Sequence, residues 1–483
     1  MNNEQVLQPD NVELIKDSRA VGRSTNSSIA VDDPATGNVI GHVPDLTPRQ
    51  ILRAIESAET AFYKWRDVPL RERCEKLFRW YQLMLEKEEE LAGILTSEQG
   101  KPLSESRGEI RYAASYIQWY AQPGLQDQGS VLPYSSIDES MMVITEPVGV
   151  CVAITPWNFP AAMITRKVAP ALAAGCTMLV KPALETPLTA IAIAELAIQA
   201  GIPEGVLSIV TGDGEAIGKI FSESAVVRKL SFTGSTRVGR LLMASSASTI
   251  KRLSLELGGN APFIVCETAD VERAVQGAIQ SKFRNAGQTC VCANAFYIHT
   301  KVYDEFTEKF IARVNQLMLG NGKNESVDIG PLINENALEK VEQIVADAVK
   351  KGAVIACGGE RWVNSERWYY PTVLLNADSS MRCVNEEIFG PVAPIVRYDD
   401  ETALLEELRQ QQTGLAAYFY SQNLGQVNRL SRALEVGMIG VNSGVISDAA
   451  VPFGGVKSSG IGREGGRHGI EEYLETKYIK LSY

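Results

Sequence analysis

The chain has 483 residues, too many for one ordinary domain and enough for two or three. Its 45% hydrophobic and 22% charged content is that of a globular protein, not a disordered one. A formal net charge of -11 argues against nucleic acid or an anionic membrane surface as partners.

The charge-free apolar run between Lys167 and Lys181 is interrupted by Pro170 and Gly175 and falls short of the ~20 residues a spanning helix needs. The start, Met1-Asn2-Asn3-Glu4-Gln5, is polar and acidic, unlike a secretory leader, so a cytoplasmic location is expected. Eight cysteines are spread thinly and should be reduced. Their spacing matches no zinc site, so no metal is expected. Three histidines, His42, His299 and His468, lie outside any motif, whereas a cysteine hydrolase normally needs a histidine base.

Residues 1–46 read as irregular strands and turns, with Asp33-Pro34-Ala35-Thr36-Gly37 as turn chemistry. Thr47-Pro48 starts a helix that places Ile51, Ile55, Ala58 and Phe62 on one face. A second helix is predicted over 70–97, with Leu77, Phe78, Tyr81, Met84 and Leu85 inward. A third is predicted over 103–122, with Ile110, Ala114, Ile117 and either Tyr120 or Trp119 inward. Residues 129–148 fit an extended hairpin. From Val148 strands alternate with helices: strands at 148–154, 177–180, 206–210, 229–233 and 252–257, helices at 163–174, 187–200, 214–222 and after Gly234. This pattern predicts a parallel, doubly wound α/β sheet, whose ligands bind at the carboxyl ends of the strands. A second α/β pattern follows Gly258-Gly259. Its helices are at 270–286, 302–318 and 335–351. Its strands are near 262–266, 294–299, 353–356, 393–397, 416–420 and 438–442. Residues 472–483 alternate like a strand and can extend the 129–148 hairpin, in this subunit or in a neighbour.

Five loops carry candidate chemistry. Thr155-Pro156-Trp157-Asn158-Phe159-Pro160 places an amide donor at a strand end, where it can stabilise an oxyanion or simply cap a proline-rich turn. Lys181, before Pro182 and Ala183, sits where a dinucleotide fold approaches the adenosine ribose, or is a solvated strand-end lysine. Gly234-Ser235 opens a helix and offers a phosphate turn, though not a GxGxxG fingerprint. Glu256, ahead of Leu257-Gly258-Gly259, is an exposed carboxylate or, if buried, a general base. Cys290 lies in Arg284-Asn285-Ala286-Gly287-Gln288-Thr289-Cys290-Val291-Cys292. It is a buried small hydrophobe or a nucleophile whose thiolate Arg284 and a tight turn would favour. Asn158, Lys181, Gly234 and Glu256 all fall on one edge of one predicted sheet.

Taken together, Thr-Pro-Trp-Asn-Phe-Pro, Phe-Thr-Gly-Ser, Leu-Glu-Leu-Gly-Gly, Gly-Gln-Thr-Cys, Glu-Glu-Ile-Phe-Gly-Pro (386–391) and Pro-Phe-Gly-Gly (452–455) resemble an aldehyde dehydrogenase over nearly the whole chain after about residue 30. Ile164-Thr165-Arg166-Lys167, the Lys282–Cys292 stretch and the 460–473 tail resemble the succinate-semialdehyde dehydrogenases. The resemblance implies an aldehyde dehydrogenase-like α/β fold. Residues 1–128 and 147–257 would form a Rossmann-type coenzyme domain, 258–460 the catalytic domain, and 129–146 with 461–483 a small β oligomerisation extension. It implies Cys290 as nucleophile, Asn158 and the Cys290 backbone N–H as oxyanion donors, and Glu256 as the base that hydrolyses a thioester. Arg166, Arg284 and Ser447 would hold a substrate carboxylate, a task that suits an arginine fork. Thr155, Pro156, Trp157, Lys181, Ala183, Leu184, Gly234, Ser235, Glu387 and Phe389 would hold the coenzyme. Leu184 stands where NAD-preferring relatives often carry Glu, which leans toward NADP with Lys181 as phosphate partner and leaves NAD open.

The expected partner is a small anionic semialdehyde, and the expected assembly a homodimer or homotetramer. Glutarate semialdehyde is the alternative substrate. A CoA-acylating enzyme is disfavoured by Glu256, and a hydrolase by the absence of a placed histidine. Cys292, two residues from the nucleophile, is a packing cysteine or the partner in a reversible disulfide. Gln410-Gln411-Gln412-Thr413 has no functional reading.

Overall fold

The fold is described by a computed structural model over residues 27–125, 129–132, 137–362 and 367–483. Strands β1 (Ser28–Asp32) and β2 (Val39–Pro44) pair antiparallel across the Asp33 turn, where Asp33 Oδ1 accepts the Ala35 N–H at 2.8 Å. Helix α1 (Pro48–Trp65) starts as Thr47-Pro48 predicts, with Gln50 Oε1 accepting the Thr47 N–H at 2.9 Å.

The single helix expected over 70–97 is two, α2 (Leu70–Glu86) and α3 (Glu88–Gln99), broken at Lys87 (φ -107°, ψ 18°). Glu88, Glu89 and Glu90 put negative charge in the first turn of a new helix, where the macrodipole favours it. The inward stripe of α2 is also rotated from expectation. Leu77, Trp80, Leu83 and Met84 are buried, while Phe78 and Leu85 are 45% and 36% exposed. Helix α4 (Leu103–Tyr120) turns Ile110, Ala114, Ile117 and Tyr120 inward and leaves Trp119 half-buried.

After β3 (Ser130–Leu132) and β4 (Glu139–Pro147) the alternating pattern begins. It comprises β5 (Val150–Ile154), α5 (Ala162–Ala174), β6 (Thr177–Lys181), α6 (Pro187–Gln199), β7 (Leu207–Ile209), α7 (Gly214–Glu223), β8 (Val227–Thr233), α8 (Thr236–Ser246) and β9 (Arg252–Glu256). These strands pair in parallel in the order β9-β8-β5-β6-β7. The chain starts at the centre, winds one way, then returns to wind the other. The loops after β5 and β8 therefore diverge at the switch point, the place where such sheets open a crevice.

The second unit comprises β10 (Ala261–Val265), α9 (Val271–Phe283), β11 (Ala293–His299), α10 (Thr300–Val314), α11 (Glu335–Lys350), β12 (Val354–Cys357), β13 (Thr372–Leu375), α12 (Arg382–Asn385), β14 (Val392–Tyr398), α13 (Glu401–Arg409), β15 (Thr413–Gly414), β16 (Ala416–Tyr420), α14 (Leu424–Ala433) and β17 (Met438–Val441). Its seven-stranded sheet runs β12-β13-β14-β11-β10-β16-β17, with β12 alone antiparallel to its neighbour. Strand β13 and helices α13 and α14 have no counterpart in the sequence reading. The two helices bury only Leu404, Leu408 and Leu430, too little for a legible stripe.

The chain closes with β18 (Val456–Lys457), β19 (Gly460–Ile461) and β20 (Leu474–Ser482). Strand β19 returns to the first sheet, pairing antiparallel with β9 so that Gly460 faces Glu256. Strand β20 pairs antiparallel with β4 of this same chain, from Leu474–Pro147 to Ser482–Glu139, and β3 completes a three-stranded sheet. The Gln410–Thr413 segment is held to the turn beyond β18. The Ser458 N–H donates to Gln412 O at 2.9 Å, and Lys457 Nζ to Gln411 O at 2.9 Å. Among the described residues no helix is long and apolar enough to cross a membrane and no side-chain cluster could hold a metal ion.

Candidate active site

The segment before Cys290 is held in an unusual backbone. Asn285 (φ 51°), Ala286 (φ 53°) and Gly287 (φ 75°) are left-handed in succession. Each non-glycine residue there costs about 1–2 kcal/mol. The hydrogen bonds of Asn285 offset that cost. Its N–H donates to Glu105 Oε2 at 2.8 Å, its Nδ2 donates to Asn158 O at 3.0 Å, and its Oδ1 accepts from Gln99 Nε2 at 2.9 Å. Gly287 is required: a Cβ there would lie 2.2 Å from Gly390 O. Gln288 Oε1 accepts the Ile333 N–H at 3.0 Å and anchors the exit of the turn.

The turn delivers Cys290 into a cavity of ≈ 280 Å³ at the sheet switch point. Asn158, Glu256 and Cys290 line it together, with Trp157, Glu387 and Phe389 among the other walls. One hydrogen of the Asn158 amide donates to Gln288 O at 3.0 Å, which orients the group and leaves the other free. Cys290 is partly exposed to the cavity, but burial pushes its thiol up to about 12, against the pull of Arg166 and Arg284. Glu256 is buried and neither carboxylate oxygen has a hydrogen-bond partner among the described residues. Burial, then the charge of Glu464, raise it well above the carboxylate range, against Arg166 and Lys167. A thiol, an oriented amide donor and a buried carboxyl group with a raised pKa thus share one enclosed space.

The remaining walls of the cavity would suit a nicotinamide riboside. Glu387 lies against Gly258, where a Cβ would come within 2.9 Å of Oε2, and Oε1 accepts the Gly259 N–H at 3.3 Å. Burial raises this carboxyl to about 7. Trp157 and Phe389 meet edge to face at 5.6 Å and form an aromatic wall beside it. Pro156, Gly234 and Ser235 line the same cavity, and Ser235 Oγ caps α8 by accepting the Val238 N–H at 3.3 Å. Thr155, Lys181, Ala183 and Leu184 lie on the same sheet edge but not in this cavity. The Thr155 N–H extends the β5–β6 ladder to Lys181 O at 3.1 Å. The lysine Nζ is 3.4 Å from the position a Cβ on Gly214 would take, at the start of α7.

The three carboxylate-binding candidates are placed differently from one another. Arg166 is 1% exposed, its Nε 2.5 Å from Glu464 Oε2 and its guanidinium 4.0 Å above the Phe453 ring. Arg284 lies 5.2 Å from the Phe159 ring centroid and has no acidic partner among the described residues. Ser447 lines a separate cavity of ≈ 240 Å³ with Tyr112, Trp119 and Asp448. Cys292 is buried, with its thiol donating to Lys282 O at 3.5 Å and Ala293 O at 3.3 Å. Both it and Cys290 are free thiols.

Several residues of this neighbourhood escaped the sequence reading. Lys340 lines the cavity and its Nζ donates to Glu387 O at 2.6 Å. Glu464 and Lys167, buried and ion-paired, sit behind Glu256. Both lie inside stretches quoted above, and two charged residues in otherwise apolar or glycine-rich runs were the available signal. Lys101, fully buried, follows Gly100 between two helices, where a lysine reads as solvated loop.

Comparison with known proteins bears on this geometry. The aldehyde dehydrogenase family model matches residues 21–479. The chain is 50% identical over 456 residues to the NADP(+) succinate-semialdehyde dehydrogenase of Escherichia coli strain K12, covering 94% of this chain and 95% of that enzyme. It is equally 50% identical to a glutarate-semialdehyde dehydrogenase of Pseudomonas putida, covering 94% of each. The crystal structure of succinate-semialdehyde dehydrogenase from Burkholderia pseudomallei superposes with a TM-score of 0.93 at 51% identity, covering 95% of each chain. The chain belongs to the aldehyde dehydrogenase family.

Proposed function

We propose that the enzyme oxidises succinate semialdehyde to succinate with NADP, NAD being the alternative coenzyme. The observation that carries the chemistry is the meeting of Cys290, Asn158 and Glu256 in one cavity beside the Glu387–Phe389 cleft. Cys290 gives up its thiol proton to water and its sulfur adds to the aldehyde carbon. The free Asn158 N–H and the Cys290 backbone N–H receive the thiohemiacetal oxygen. The coenzyme supplies the hydride acceptor when bound, held by Glu387, Trp157, Phe389, Gly234 and Ser235, with Lys181 toward its adenosine end. Glu256 then takes a proton from the water that cleaves the Cys290 thioester, releasing carboxylate and thiol.

Arg284, which forms no ion pair among the described residues, is the residue assigned to the substrate carboxylate. Arg166 is already engaged with Glu464 and contributes positive potential; Ser447 lines a separate cavity. Glutarate semialdehyde is a second reading, supported by the equal identity to the Pseudomonas putida enzyme. One methylene is worth only ~1–3 kcal/mol in a pocket. The enzyme assembles as a homo-oligomer through the β20-β4-β3 sheet, supported by the exposure of Val131, Ile137 and Tyr478 there.

The test is kcat/KM for the four- and five-carbon semialdehydes with each coenzyme, in wild type and Arg284→Met. Reduced coenzyme should form without CoA. The Arg284→Met loss should be ~10–100-fold for the acidic substrates, the worth of a charged hydrogen bond, and absent for an uncharged aldehyde of equal length. An equal loss for the uncharged aldehyde would remove Arg284 from substrate binding.

A further inference from the structure

Lys101 is buried to 1% exposure in the loop between α3 and α4, remote in sequence from every motif. Its Nζ donates to Glu109 Oε2 at 2.6 Å and to Asn158 O at 2.7 Å, and lies 3.9 Å from the Phe159 ring centroid. Glu109 is committed in turn. Its other oxygen accepts the Ala161 and Ala162 N–H groups at 2.9 and 3.3 Å, at the start of α5. Asn158 O receives a second bond, from Asn285 Nδ2 at 3.0 Å. The residue that ends α3, next to this loop, also grips the nucleophile turn. Gln99 Nε2 donates to Asn285 Oδ1 at 2.9 Å, and Gln99 Oε1 accepts the Lys101 N–H at 3.0 Å.

The loop and the end of α3 therefore touch both halves of the oxyanion site, the Asn158 strand end and the turn that presents Cys290. A methionine would fill the space of Lys101 without the cost of a buried charge. The ammonium is retained where it fixes one carbonyl, that of the residue whose side chain is the oxyanion donor. We propose that Lys101, oriented by Glu109, is a positioning residue that locks the Asn158 backbone so that its free amide N–H is aimed at the thiohemiacetal oxygen. This rests on Asn158 being the oxyanion donor, as proposed above.

The test is a double-mutant cycle on the full-length enzyme with Lys101→Met, Asn158→Ala and both, reading kcat, KM and thermal midpoint. Asn158→Ala alone should lower kcat by ~10²–10³. If it does not, the donor assignment fails, and that result is separate from the Lys101 question. Lys101→Met should lower kcat by ~10–100-fold with little change in KM, because a small misplacement of a catalytic group has that effect. In the Asn158→Ala background the same change should alter kcat by no more than about two-fold, since the group it positions is gone. Glu109→Gln, which keeps the size and the α5 cap, serves as a second entry to the cycle if Lys101→Met fails to fold, and should show the same loss of effect. Equal losses in both backgrounds, or a rise in KM with unchanged kcat, would overturn the positioning role.

Discussion

Glu256 and Glu464 are two carboxylates buried in the same charged neighbourhood, 3% and 5% exposed, and the fold treats them in opposite ways. Burial alone pushes each up. Glu464 is nevertheless held down to about 2 by Lys167 and Arg166, with Ser231 Oγ donating to it at 3.2 Å. Glu256 has no hydrogen-bond donor among the described residues, so burial and then the charge of Glu464 keep it well above the usual range. Gly454 lets the chain pass close to it: with φ +156°, a Cβ there would lie 2.9 Å from Glu256 Oε1. One carboxylate is ion-paired and anchors the two cations. The other is left without a hydrogen-bond partner among the described residues, on the wall of the Cys290 cavity. Partners, not depth, separate the carboxylate that is held down from the one that is held up.

Substitutions can break this contrast, the largest effect first. Glu464→Gln strands Arg166 and Lys167 without their counter-charge. Breaking such a buried pair costs about 3–5 kcal/mol, so the thermal midpoint should fall sharply in calorimetry or circular dichroism. Its pH dependence has a definite sign. The folded value is depressed, so the wild-type contribution is full above the unfolded value of about 4.3 and is lost as pH falls toward about 2. The stability difference between wild type and Glu464→Gln should shrink over that window.

Glu256→Gln should act in the opposite direction and less strongly. Its folded value is raised, so its contribution is full below about pH 4.3 and is lost as pH rises through the folded value. In mildly alkaline buffer the variant should be more stable than wild type, read as a higher thermal midpoint. A variant that is less stable there would mean that Glu256 is a paired, structural acid after all. The smallest effect is on Cys290. With its thiol raised, alkylation by iodoacetamide in the free enzyme should be slow near neutrality and should accelerate steadily as pH rises.

The sequence made one half of this contrast legible. The alternation of strands and helices from Val150 to Glu256 placed Asn158, Gly234 and Glu256 on one sheet edge, because local periodicity determines a parallel sheet and its carboxyl-end loops. The motifs around Cys290, Glu387 and Phe389 supplied other cavity residues. The partners of the second carboxylate were not legible. Glu464 meets Lys167 and Arg166 only because β19 returns to β9 and carries the following turn across the sheet, a contact nearly three hundred residues apart in sequence. The grip of Lys101 on Asn158 is likewise tertiary. Helix faces suffered from the same blindness to context. Phe78 and Leu85 looked as apolar as Trp80 and Leu83, and only packing against the first sheet's helices selects among them.

The most direct test of Glu256 as the water-activating base is a rapid-mixing experiment with Glu256→Gln and succinate semialdehyde. The variant should release one equivalent of reduced coenzyme per site in a burst at near wild-type rate. Turnover should then be ~10²–10⁴-fold slower, as the thioester on Cys290 waits for hydrolysis. Steady turnover at the wild-type rate after the burst, or the loss of the burst itself, would contradict the assignment.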